Sequence, residues 1–176
     1  MERDFQEFMH IFLAATQKIE NHYFQLPVAG REAVYRERVY CYELYHCLRE
    51  CSPSDWPYVL CGEIDKSGHP IFRTKRKPDF LVHLPGKLEK NLVIVEVKPV
   101  NAKEESIQKD NETLRYFLDS AGYSQAVYLI YGNMSEGKLN KFKEIMRSIF
   151  LSYHAEKVHL LWHSKAGSSA EIIEWK

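Results

Sequence analysis

The chain has 176 residues, of which 45% are hydrophobic and 13% aromatic, enough for one domain with a substantial core. Lys plus Arg and Asp plus Glu number 24 each, so no global positive field draws the chain to nucleic acid, and any such affinity must be local. Cys41, Cys47, Cys51 and Cys61 lack paired C-x-x-C spacing, and MERDFQEFMHIFLAAT reads as neither a signal peptide nor a membrane span, so a cytoplasmic protein with no membrane partner is expected.

Apolar residues at helical spacing (Phe5, Phe8, Met9, Phe12, Ile19, Tyr23) predict an amphipathic helix over residues 4–23, and Leu26-Pro27-Val28-Ala29-Gly30 breaks it. Its aromatic stripe is expected to be core, or the contact for a homodimer or protein partner. A second helix is expected over residues 32–51, with Tyr35, Val39, Tyr42 and Tyr45 buried and Glu43 among them. His46, Cys47 and Cys51 on this helix have the chemistry for zinc, yet buried apolar thiols are the expected role. Residues 56–65 alternate as a strand that places Val59, Cys61, Glu63 and Asp65 on one face. Glu63 is there a candidate metal ligand. Arg73, Lys75, Arg76 and Lys77 form the densest basic run in the chain, either a solvated face or the place for contacts to a nucleic-acid backbone.

Residues 77–99 read as a β-hairpin. In NLVIVEVK, Val93, Val95 and Val97 face one side of the sheet while Ile94, Glu96 and Lys98 face the other; in DFLVHL, Asp79 shares a face with Leu81 and His83. A turn within residues 85–90 sets Val82 opposite Val93, Phe80 opposite Val95 and Asp79 opposite Glu96. The register that matches the apolar faces thus brings two carboxylates together, and opposed carboxylates repel unless a cation sits between them. Two acidic oxygens on rigid strands suit Mg2+ (or Mn2+), and Lys98 on the same face can orient a water or stabilise charge building on a phosphate. His69 and His83 are poor ligands for so hard an ion. Beyond the hairpin come a helix over residues 102–121, an unbroken apolar strand at 126–131, a helix at 136–153, a strand at 158–163 and a tail that is either an edge strand or loose. The alternation favours parallel pairing in this half.

Pro78-Asp79, followed seventeen positions on by Glu96-Val97-Lys98, resembles the PD-(D/E)XK signature of the restriction-endonuclease-like nucleases. The resemblance covers residues 32–163. It implies an α/β fold, a restriction-endonuclease-like mixed β-sheet flanked by helices with an additional N-terminal helix. As a single domain this divides into an extension at 1–30, a core at 31–163 and a tail at 164–176. The implied activity is metal-dependent hydrolysis of nucleic acid, DNA being the expected substrate, in a bacterial defence or mobile-element setting. Asp79 and Glu96 would bind Mg2+ or Mn2+, and Lys98 would position the nucleophile or stabilise charge. Because relatives supply an acid from the helix before the first core strand, Glu43 is expected in the site, with Glu37 and Glu50 as substitutes. Lys109 or Gln108 is the polar residue expected to reach the site from the following helix. The rival expectation is a catalytically inactive module of the same fold that binds nucleic acid or a protein partner.

Overall fold

The computed structural model describes residues 1–62, 76–87, 90–150 and 154–175. Helices α1 (Glu2–Lys18), α2 (Asn21–Phe24) and α3 (Glu37–Cys51) precede strands β1 (Val59–Gly62), β2 (Phe80–His83) and β3 (Asn91–Pro99). Then follow α4 (Glu104–Ser120), β4 (Gln125–Tyr131), α5 (Glu136–Phe150), β5 (Val158–His163) and β6 (Glu171–Ile173). The six strands form one mixed sheet in chain order. β1, β2 and β3 pair antiparallel, β3, β4 and β5 parallel, and β6 antiparallel to β5, so the tail does supply an edge strand.

Period-two alternation decides which side chains meet which helices. Val93, Val95, Val97, Phe80 and Val82 enter a core shared with α1, α2 and α3. Ile94 and Leu81 enter the opposite core, under α4 and α5. With helices on both faces, every residue of β3 is buried. The register is the expected one, Phe80 against Val95 and Val82 against Val93, with an irregularity between Val82 and His83 that pairs His83 with Asn91.

Two expectations are corrected. Helix α3 begins at Glu37, five residues later than its apolar pattern predicts, because Leu26 and Val34 exchange backbone hydrogen bonds of 2.8 and 2.9 Å and Arg36 is extended. Its buried side is Tyr40, Cys41, Leu44, Cys47 and Leu48, whereas Tyr42 is exposed. The aromatic stripe of the N-terminal helix takes the core role of the two expected for it, and the contact role is the one corrected. Phe5, Phe8 and Phe12 are buried in the chain's own interior, so this stripe does not offer a dimer or partner contact. The tail fastens α1 from the other end of the chain. Ala170 N–H donates to Thr16 Oγ1 (2.9 Å), Gly167 N–H to the Ile19 carbonyl (3.0 Å) and Ser169 Oγ to the Leu13 carbonyl (3.1 Å), while the Phe5 and His159 rings lie 4.6 Å apart. No helix among the described residues is long and apolar enough to cross a membrane.

Candidate functional site

The β2–β3 register, continued one residue beyond Phe80, carries Asp79 to the level of Glu96. Asp79 Oδ2 accepts the Val97 N–H at 2.7 Å, which ties the residue just outside β2 to the neighbouring strand. The Glu96 carboxyl, at the same level of the neighbouring strand, is only 4% exposed. Burial pushes Asp79 up to about 7 against the lowering pull of the Val97 N–H; burial, then Asp79 and Asp110, push Glu96 well above the usual carboxylate range. Without a cation, the pair therefore retains a proton near neutrality.

Lys98, two residues along the same face, does not point its charge into this pair. Its Nζ donates to Glu37 Oε2 at 2.9 Å and forms an ion pair with Asp110 Oδ2 at 3.2 Å. Although burial opposes it, Asp110 and Glu37 hold the Lys98 ammonium above the ordinary lysine value. Burial raises Asp110 to about 6 despite Lys98 beside it.

These groups line a cleft of about 580 Å³. Helix α3 contributes Glu37, the segment before β2 contributes Arg76, Lys77 and Asp79, β3 contributes Glu96 and Lys98, and α4 contributes Lys109, Asp110, Glu112 and Thr113. The Arg76 guanidinium stands over the Tyr116 ring, 5.1 Å from its centre. Its outer lining, Arg76, Lys77, Lys109 and Glu112, is thus mainly basic, and its floor, Asp79, Glu96, Asp110 and Lys98, mainly acidic.

Of the residues singled out in the sequence, Asp79, Glu96, Lys98, Arg76, Lys77 and Lys109 meet here. Glu43 does not: it accepts a long hydrogen bond from Cys47 Sγ (3.8 Å) along its own helix, and Glu37 takes its place in the cleft. The late start and rotation of α3 explain the exchange, since Glu37 precedes Cys41 and Leu44 by four and seven residues on the inward side. Glu50 is bound to Lys18 and His46 at the surface. Glu63, Arg73 and Lys75 lie outside the described residues. The contribution missed by sequence reasoning is Asp110. A signal was available, because Ile107, Leu114 and Phe117 form the buried stripe of α4 and residues 110 and 111 fall on the same stripe, where Asp110 and Asn111 are both polar.

Among the described residues, no three His, Cys, Asp or Glu side chains stand ready-made around one point as a metal site. The donor set nevertheless fits a hard divalent ion: two carboxyl groups at one level of the β2–β3 pair, Glu96 buried and Asp79 partly so, whose charged forms such an ion would favour. Comparison with protein-family models, with curated proteins and with solved structures finds no match to this chain.

Proposed function

We propose that the chain is a metal-dependent nuclease with a restriction-endonuclease-like arrangement of its sheet, cleaving phosphodiester bonds of nucleic acid, with DNA the first substrate to test. The supporting observation is the convergence of Asp79, Glu96 and Lys98 in one cleft through the β2–β3 register. Asp79 and Glu96 would hold Mg2+ or Mn2+, which when bound supplies Lewis-acid stabilisation of phosphoryl charge and a more acidic water. The Lys98 ammonium, kept charged by its acidic neighbours, would donate a hydrogen bond to a phosphoryl oxygen as negative charge builds there. Arg76, Lys77 and Lys109 on the walls would neutralise flanking phosphates without reading sequence.

Purified protein incubated with single- and double-stranded DNA and RNA, with Mg2+ or Mn2+ and with chelator, tests this reading. Ion-dependent cleavage that Lys98→Ala reduces by roughly a hundredfold, with nucleic-acid affinity nearly intact, is the expected result. Binding without cleavage under any divalent ion would replace the enzyme with a binding module of the same fold.

A further inference from the structure

Lys98 poses a problem for any cation that uses Asp79 and Glu96. It is two residues from Glu96 on the same face of β3, an interval a lysine side chain spans easily, and its ammonium is itself a cation with a claim on those carboxylates. The structure holds it elsewhere. Glu37 reaches in from the first turn of α3 and takes a hydrogen bond of 2.9 Å, while Asp110 approaches from α4 at 3.2 Å. Asp110 is an expensive residue at its position. It sits well inside a 17-residue helix, where Asp is a weak helix former, and its carboxylate is 12% exposed. An unpaired charge there is costly, and the charge that offsets it is Lys98.

We infer that Asp110, with Glu37, is a positioning residue that holds the Lys98 ammonium aside from the Asp79–Glu96 pair, leaving those carboxylates open to a divalent cation. The inference rests on the metal-dependent reading above. It assigns Asp110 a role through Lys98, distinct both from ligation of the ion and from a merely structural ion pair. When the Asp110 charge is lost, Glu37 alone holds the ammonium, which then swings more readily toward Glu96 and competes with the ion.

Calorimetric titration with Mn2+ in the absence of nucleic acid tests this on wild type, Asp110→Asn, Lys98→Met and the double variant. Asp110→Asn weakens Mn2+ binding by about tenfold or more, as loss of an outer-shell partner does at metal sites. In the Lys98→Met background, the same substitution has no further effect, because the competitor is gone. Equal weakening in both backgrounds would make Asp110 act on the ion directly, and no weakening in either would reduce it to a structural pair. Both results overturn the inference while the metal-dependent reading stands. If wild type takes up no Mn2+, the metal-dependent reading fails and the inference with it. Should Asp110→Asn not fold, Glu37→Gln, which removes the other half of the clamp from a more exposed position, carries the same four-way comparison.

Discussion

Asp79 accepts the Val97 N–H, which favours its charged form, but burial, helped by the charges of Glu37 and Asp110, prevails. Its folded-state pKa of about 7 lies above the ordinary 3.8, so the folded chain binds this proton more tightly than the unfolded chain does. The resulting stabilisation is complete below about 3.8, the ordinary value, and is lost as the pH rises from there through about 7. Asp79→Asn removes that titration while leaving an oxygen for the Val97 N–H. In the absence of metal, the variant should match wild type near about pH 3 and exceed it near about pH 8, by on the order of a few kcal/mol. His163, which burial holds down to about 4, works in the opposite sense, but it is common to both proteins and cancels in their difference. Denaturant melts across this range decide the matter, and a difference independent of pH would show that Asp79 does not titrate there. Added Mg2+ should then stabilise wild type and not the variant.

At the scale of the element, helix α3 reverses the expected order of two acids, bringing Glu37 to the cleft in place of Glu43. Glu37→Gln should lower cleavage by disturbing Lys98, whereas Glu43→Gln should leave it close to wild type; comparable losses in a nuclease assay would contradict the placement of the helix. The hairpin was legible because both strands alternate with period two, and a slip of one residue would turn Glu96 and Lys98 into the α1–α3 core. The start of α3 was not legible. It depends on Leu26 bonding to Val34, a contact between a linker and residues whose own pattern is helical. Helix α1 provides the sharpest stability test, since Phe12 is fully buried: Phe12→Ala should cost about 3–5 kcal/mol, while Tyr42→Ala on the exposed side of α3 should stay within about 0.5 kcal/mol.

For the whole molecule, net neutrality conceals a division within one cleft, with a mainly basic rim over a mainly acidic floor. Replacing Arg76 and Lys77 together by Ala should weaken nucleic-acid binding and flatten the dependence of log affinity on log salt by about 2, with little effect on the chemical step at saturating substrate. An unchanged salt slope would mean that phosphates do not pass these residues. The α/β class and the mixed sheet were readable because strand and helix periods alternate cleanly along the chain. What escaped was how α4 lies across the floor of the cleft: Asp110 belongs to an apolar stripe, and only the packing of that stripe against the sheet brings it to Lys98.

The sheet's strand order also sets an order of assembly. Each strand pairs with the one made just before it, so the sheet can grow in the direction of synthesis, one addition at a time. Helix α1 runs against that schedule. It is made before every strand, yet its fastenings to Gly167, Ser169 and Ala170, and the ring contact of Phe5 with His159, involve residues of β5 and the segment after it. A ribosome-bound chain stalled before β5 should therefore lack the covering of Phe5, Leu13, Thr16 and Ile19, and protease cleavage within α1 should fall once residues 158–170 have emerged.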